Sequence, residues 1–187
     1  MGRVDYYHDP AAPPANSLVV GSSAIVSDSD GRILLQHRSD SGNWALPGGV
    51  MDIGETLAES AIREVREETG FDVRIERVVG VYSDPGHVFA YDDGEVRQEF
   101  SICLACTIIG GSLSVSNEST DVRFFALGDI SDLQIHASIL KRIRDYLNNQ
   151  PPCSADSSEP VSASARVARV CLHALTAPKP CTCTNPR

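Results

Sequence analysis

One helix with strand-like segments on both sides is the feature that most limits how this chain can fold. Thr56 and Glu59 stand three residues apart and match a capping box at a helix start. Gly70 suits the left-handed conformation that often follows the last helical turn. Apolar residues recur between them at helical spacing, at Leu57, Ala58, Ala61, Ile62 and Val65. The pattern therefore predicts a helix over 56–69 that turns one apolar face to a core.

Segments rich in Val, Ile and Leu flank this helix and predict β-strands. They fall at 17–26, 32–37, 44–46, 73–82, 96–109 and 122–127. A second amphipathic helix is predicted over 135–147. Strands on both sides of one helix, with another helix at the end, predict an α/β (α+β) fold with a mixed sheet packed between helices.

The composition changes near residue 149. Residues 151–187 hold six of the eleven prolines and four of the six cysteines, but no aromatic residue. A length of 187 residues corresponds to about one domain. We therefore divide the chain into an N-terminal extension (1–16), a globular domain (17–149) and a flexible Pro/Ser/Cys-rich tail (150–187), with at most a short helix around 163–175.

Charge and hydropathy exclude several classes of protein. With 25 acidic and 16 basic residues the net charge is −9, which disfavours general nucleic-acid binding. No apolar run has the length of a membrane span, and no apolar leader opens the chain, so we expect a cytoplasmic protein without disulfides. Cys103 and Cys106 stand three apart in a predicted strand, so their side chains point to opposite faces and are expected to be small buried hydrophobes.

Three glutamates on the first helix are the candidate chemical centre. Glu64, Glu67 and Glu68 occupy positions i, i+3 and i+4 and therefore share one helix face. Converging carboxylates are hard ligands that suit Mg²⁺ or Mn²⁺, although a solvated charged face would use the same pattern. Gly48 and Gly49 lie just upstream, where glycine allows the backbone to approach a ligand or metal closely.

The spacing of these residues resembles a known sequence motif. From Gly49 to Phe71 the chain reads G-x5-E-x7-R-E-U-x-E-E-x-G-U, where U is an apolar residue. This string resembles the Nudix box of the MutT-like hydrolases and is complete over 49–71. The resemblance implies a Nudix-type α/β/α sandwich. It also implies an enzyme that uses a divalent metal, Mg²⁺ or alternatively Mn²⁺, to hydrolyse a nucleoside diphosphate linked to another group.

The same resemblance implies roles for individual residues. The metal ligands would be Glu64, Glu67, Glu68, Glu55 and the carbonyl of Gly48. Glu64 could instead be the base that activates water, and Glu55 could instead support the junction between loop and helix. Arg63 would orient the glutamates through an ion pair.

Residues outside the motif are weaker candidates. Glu118 resembles, by its position before the last strand, a glutamate of MutT-type members that binds metal or acts as the base, and Glu99 is the rival. Arg38 could contact phosphate, and His136 could line a pocket for the nucleobase of the substrate. The alternative for each of the four is an ordinary surface or capping residue.

The substrate is not fixed by the motif, which is shared by enzymes acting on different nucleotides. Pro85 follows Gly70 by fifteen residues, as in the ADP-ribose pyrophosphatase branch. We therefore expect ADP-ribose or a nucleotide sugar, with a nucleoside triphosphate as the alternative. A non-catalytic Nudix-fold nucleotide sensor is a further alternative, which the intact glutamates disfavour. The expected partner is a small nucleotide-derived molecule, and a homodimer is left open.

Overall fold

The computed structural model of the protein describes residues 3–149. In that part of the chain, eight strands and two α-helices follow one another in the order β1 (Arg3–Tyr7), β2 (Ser17–Ser27), β3 (Ile33–Arg38), β4 (Trp44–Ala45), α1 (Leu57–Thr69), β5 (Phe71–Tyr82), β6 (His87–Tyr91), β7 (Val96–Gly111), β8 (Ser119–Phe125) and α2 (Ala137–Leu147). The tail predicted at 150–187, with its short helix, lies outside the described residues.

The strands form one mixed sheet. Its order is β1-β6-β7-β2-β3-β4, with β5 paired to β7 and β8 paired to β3. β2 and β7 run parallel, from Ser17 opposite Arg97 to Ser27 opposite Thr107, and the other strand pairs are antiparallel.

A helix covers each face of this sheet. Ile25 packs in one apolar cluster with Ile143 of α2. Its neighbour Ala24 packs in a second cluster with Ala61 and Val65 of α1. Side chains alternate between faces along a strand, so the two clusters lie on opposite sides of the sheet. The predicted α/β/α sandwich is therefore confirmed.

The first helix forms where the sequence predicts it. The Thr56 side chain accepts a hydrogen bond from the Glu59 backbone N–H, and the Glu59 carboxylate accepts one from the Thr56 N–H at 2.8 Å. Gly70 ends the helix with φ of 78° and donates its N–H to the carbonyl of Arg66. These two caps satisfy backbone groups at both ends of α1 and fix the residues on which its glutamates stand.

Two strands, β1 and β6, have no counterpart in the sequence-based prediction. β1 lies in the predicted N-terminal extension (1–16), for which no strand was predicted, and it pairs with β6 from Arg3 opposite Tyr91 to Tyr7 opposite His87. Both strands have five residues and carry charged or aromatic side chains instead of an aliphatic alternation. A pattern search for strands that face an apolar core therefore misses them.

The remaining expectations can be compared with the structure directly. Cys103 and Cys106 are both buried and unpaired, and they belong to different apolar clusters, as predicted. β5 begins at Phe71 and β8 at Ser119, two and three residues before the predicted starts. No helix among the described residues is long and apolar enough to cross a bilayer.

Candidate active site

The loop before α1 passes so close to β2 and to α1 that a side chain at Gly48 or Gly49 would clash. A Cβ on Gly48, whose φ is +151°, would lie 2.2 Å from the carbonyl oxygen of Ser22. A Cβ on Gly49 would lie 2.4 Å from Oε1 of Glu64. The Gly48 N–H donates to Oε2 of Glu68 at 2.7 Å. The two glycines therefore bring the loop backbone directly against two of the candidate metal ligands.

Arg63 bonds three glutamates at once. Its guanidinium donates to both carboxylate oxygens of Glu55, to Oε1 of Glu64 at 2.9 Å and to Oε2 of Glu67 at 3.1 Å. The bond from Arg63 lowers the pKa of Glu55 to about 2, and a bond from the backbone of Asp52 contributes. Glu55 is thus engaged by Arg63 and by its own loop, the geometry of a residue that supports the junction between loop and helix.

The three glutamates differ in burial. Glu68 is 4% exposed and Glu64 is largely covered, whereas the side chain of Glu67 is 60% exposed. Burial raises the pKa of Glu68 to about 7, and the nearby charge of Glu64 adds to the rise. Burial also raises the pKa of Glu64. Two desolvated carboxylates held side by side, with a third at the surface, make a donor set that fits a divalent cation.

A buried amide that the sequence analysis missed lies behind Glu68. Gln36 on β3 is fully buried, and its Oε1 accepts a hydrogen bond from the Ser119 hydroxyl at 2.6 Å. That bond turns the amide nitrogen of Gln36 toward Glu68, where it offsets part of the rise in the carboxyl's pKa without completing a hydrogen bond of standard geometry. The only sequence signal was a polar residue that interrupts an apolar strand.

Arg38 and Glu118 lie at the border of the glutamate cluster. Arg38 donates two hydrogen bonds of 2.9 Å to Asp40, and the charges of Glu68 and Glu118 add to the rise in the pKa of Arg38. Glu118 occupies an exposed turn before β8, and its charge also acts on Glu64. The structure therefore brings both residues near the glutamates, although the sequence separates them widely.

A cavity of about 820 Å³ opens beside the two glycines. Arg38, Glu99 and His136, three of the candidates outside the motif, all line it together with Gly48 and Gly49. Glu99 is buried in its wall, where one carboxylate oxygen bonds Nδ1 of His87 at 3.0 Å and the other meets Arg142. This engagement argues against Glu99 as the base that activates water.

Sheet residues on β1, β6 and β7 form a further part of the cavity lining. Phe89 and Tyr91 of β6 lie there between arginines of the neighbouring strands. The guanidinium of Arg3 lies 5.2 Å from the Phe89 ring centre, and that of Arg97 lies 4.6 Å from the Tyr91 ring centre. None of these four residues was a candidate from sequence, and three of them lie on β1 and β6, which were not predicted.

The cavity also contains a stacked pair of histidines. His136 is the N-cap of α2, and its Nδ1 accepts the N–H of Ser138 at 3.2 Å. Its ring lies 4.9 Å from that of His87 at an interplanar angle of 19°. Burial alone would lower the pKa of His87, but hydrogen bonds to Asp5 and Glu99 raise it to about 9.

Asp5, His87 and His136 bring their ligand atoms within 4.8 Å of one another, as in a metal site. A metal, however, lies near the plane of each imidazole that binds it, and two nearly parallel rings cannot both aim at one ion. His87 also uses both nitrogens for carboxylates. We therefore interpret this cluster as an ionic wall of the cavity.

The cavity is positively charged although the chain is acidic. Its charged lining residues are five cations and three carboxylates, namely Arg3, Arg38, His87, Arg97, Arg142, Asp5, Asp40 and Glu99. The chain as a whole carries −9. Such local focusing of charge attracts an anionic ligand to the cavity.

The sequence pattern of the NUDIX domain matches residues 18–146. The chain belongs to the NUDIX family. It is 32% identical over 141 residues to a MutT-like protein of Streptomyces ambofaciens, covering 75% of this chain and 83% of the relative. It is 34% identical over 131 residues to an ADP-ribose pyrophosphatase of Methanocaldococcus jannaschii, covering 65% and 69%.

Solved structures give the same fold. A NUDIX hydrolase from Nitrosomonas europaea superposes with a TM-score of 0.60 at 18% identity, covering 76% of this chain and all of the other. The resemblance identified from the motif is thus confirmed, and the chain is a NUDIX hydrolase acting on pyrophosphate bonds. NUDIX hydrolases generally use divalent metal ions. The matched region begins at residue 18, so β1 lies outside it.

Proposed function

We propose that this NUDIX protein is a Mg²⁺-dependent pyrophosphohydrolase that cleaves a nucleoside diphosphate linked to another moiety, with ADP-ribose or a nucleotide sugar as substrate. The observation that carries the proposal is that the glutamate cluster and the cavity share two residues. Gly48 and Gly49 touch Glu68 and Glu64, and the same two glycines line the positively charged cavity. A diphosphate at the glutamates would thus have the rest of its molecule in the cavity.

The size of the cavity supports a substrate larger than a diphosphate. Its volume of about 820 Å³ lies toward the upper end of the range for small-molecule sites. Pro85 lies in the turn that leads into β6, whose residues line the cavity. The likeness to a relative named ADP-ribose pyrophosphatase supports the same substrate class.

The surroundings of each glutamate suit it to a different role. Glu64, Glu67 and Glu68 would hold the metal, which supplies charge neutralisation at the diphosphate and a more acidic water. Arg63 keeps Glu64 and Glu67 turned toward one point. The Gly48 N–H holds Glu68 by a hydrogen bond, and the nearby Gln36 amide favours the charged form of its carboxyl. Glu55 would act mainly by fixing Arg63, and Arg38 would bind a phosphate oxygen.

Glu118 is the residue best suited to accept the proton of the attacking water. Among the described residues, none donates a hydrogen bond to its carboxylate, so it remains available as a base. Glu64 is instead bonded to Arg63. Attack of water on one phosphorus breaks the anhydride bond on its far side, and the bridging oxygen leaves with the other phosphate. Glu118 takes the proton.

The test is release of phosphate products from a panel with Mg²⁺, with and without chelator. The panel contains ADP-ribose, nucleotide sugars, dinucleoside polyphosphates and normal and oxidised nucleoside triphosphates. We expect chelator-sensitive turnover of ADP-ribose or a nucleotide sugar. Preferential turnover of triphosphates would support the alternative substrate class, and tight binding without turnover would support a nucleotide sensor.

Variants connect the activity to the site. Glu68→Gln weakens a proposed ligand at nearly constant shape and should lower kcat by orders of magnitude. The matched control is Glu76→Gln, because Glu76 lies on β5 at the surface and pairs with Arg74. Equal activity in the two variants would contradict the role of Glu68.

A further inference from the structure

The N-terminal strand, which precedes the matched family region, forms part of the cavity wall. Arg3 and Asp5 stand two residues apart on β1 and therefore lie on one face of the strand. Both line the cavity, as do their partners Tyr91 and Phe89 on β6. Residues outside the Nudix box thus contribute to the surface on which a substrate would lie.

A network of alternating charges, buried except at its outer member Asp5, fixes β1 in this position. Asp5 bonds Nε2 of His87 at 2.9 Å, Nδ1 of His87 bonds Glu99 at 3.0 Å, and Glu99 contacts Arg142 of α2. His87 is 2% exposed. Removing one member would leave a buried charge without its partner, which is strongly unfavourable. This network of charges therefore holds β1 against β6, β7 and α2 in one arrangement.

Arg3 reaches the cavity with its hydrogen-bond donors unused. Its guanidinium lies over Phe89, and its nearest carboxylate is Asp40, at 3.9 Å. Asp40 already receives two hydrogen bonds of 2.9 Å from Arg38. Within residues 3–149, no hydrogen bond is formed by the side chain of Arg3, which is about one-third exposed. An arginine with free donors in a ligand cavity is an anion-binding group.

Arg3 and Arg38 serve different parts of the cavity. The carboxylates of Glu68 and Glu118 interact electrostatically with Arg38. Asp40 forms ion pairs with both Arg38 and Arg3. A diphosphate bound at the glutamates would therefore meet Arg38. Arg3, whose donors are unused, offers a second place for an anionic group of the ligand.

We propose that Arg3 selects substrates that carry a further anionic group, a phosphate or a carboxylate, beyond the diphosphate. This inference rests on the proposed function for the location of the diphosphate. The group could stand on the nucleoside or on the moiety linked to it, and both sources present the same chemistry to a guanidinium.

Two matched pairs of probes test the inference and separate the sources. UDP-glucuronate and UDP-glucose differ by a carboxylate on the linked sugar, and NADPH and NADH differ by a phosphate on the nucleoside. Binding of all four is measured by calorimetry with Ca²⁺ in place of Mg²⁺. We expect the charged member of at least one pair to bind the wild-type protein about tenfold more tightly or better. The pair that shows the difference identifies the source.

Arg3→Gln should abolish this preference and leave the affinity for the uncharged member unchanged. Arg3→Lys keeps the charge and should restore most of the preference. A purely structural role of Arg3 over Phe89 predicts instead that Arg3→Gln weakens the binding of both members of a pair. Arg74→Gln is the matched control, because Arg74 is an exposed residue of β5. This variant should keep the wild-type ratio of the two Kd values in each pair. A ratio near one in the wild type for both pairs, or an unchanged ratio in Arg3→Gln, would overturn the inference.

Turnover measured on the same proteins separates the two proposals. Hydrolysis of nucleoside diphosphate derivatives without any charge preference removes the role of Arg3 and leaves the proposed function intact. A charge preference in binding that Arg3→Gln abolishes, without hydrolysis of any probe, supports the role of Arg3 and rejects the enzymatic proposal.

Discussion

Replacing Gly49 by alanine should damage the reaction while leaving the fold largely intact. The added Cβ would lie 2.4 Å from Oε1 and 2.6 Å from Cδ of Glu64, about 1 Å closer than an ordinary contact. The neighbour is the end of a flexible side chain, so Glu64 can yield without a shift of the backbone. A displacement of about 1 Å in a catalytic group costs on the order of 10²-fold in rate. The free energy of unfolding should change by less than about 1 kcal/mol.

Steady-state kinetics and urea unfolding on the same preparations measure both effects. Gly128→Ala is the matched control, because no heavy atom lies within 4 Å of its added Cβ and its φ is not in the left-handed region. Gly48→Ala provides the contrast. Its Cβ would lie 2.2 Å from backbone at a φ of +151°, so it should unfold more easily, by roughly 2 kcal/mol or more. Near-normal kcat in Gly49→Ala, with full stability, would refute this account of the glycine pair.

Three further predictions concern the charged groups. The pKa of His87 is raised to about 9 from 6.5, so its stabilising contribution is complete below pH 6.5 and disappears as the pH rises through about 9. Urea unfolding should therefore show that the wild type loses on the order of 2 kcal/mol more than His87→Gln between pH 6 and 9.5, and parallel pH profiles would contradict this. Arg63→Lys should lower kcat about 10- to 100-fold, because an ammonium cannot hold Glu55 and Glu64 together as the planar guanidinium does, and a kcat within twofold of wild type would count against this role. Glu68→Gln should weaken Mn²⁺ binding at least tenfold in calorimetry at pH 7.5, whereas equal affinity would exclude Glu68 as a ligand.

The sequence predicted those parts of the fold whose residues are patterned by an apolar core. The first helix satisfies its own backbone ends through Thr56, Glu59 and Gly70, and it needs no distant residue to do so. Strands β2, β3 and β7 carry aliphatic side chains that reach the clusters on both faces. Local capping and burial are properties of nearby residues, so a reader of the sequence can find them.

The site was accessible from sequence only where its residues are close together in the chain. Glu64, Glu67 and Glu68 share one helix face by spacing alone. The contact between Gly49 and Glu64, the amide of Gln36 behind Glu68, and the approach of Glu118 all depend on how the sheet folds around α1. Distances between segments come from register and topology, which no local spacing encodes.

The failure to predict β1 and β6 has the same physical origin as their proposed role. A strand that packs one face against an apolar core is recognised by alternating aliphatic residues. The face of β1 and β6 that lines the cavity instead carries Arg3, Asp5, His87 and Phe89. Such residues are costly to bury unless each finds a partner, and here the buried His87 is paired with Glu99 and with Asp5 at the cavity surface. Arg3 is the exception, because its donors remain open to the cavity. A strand that breaks the hydrophobic rule and leaves one cation without a hydrogen bond is better explained by a ligand than by the stability of the fold.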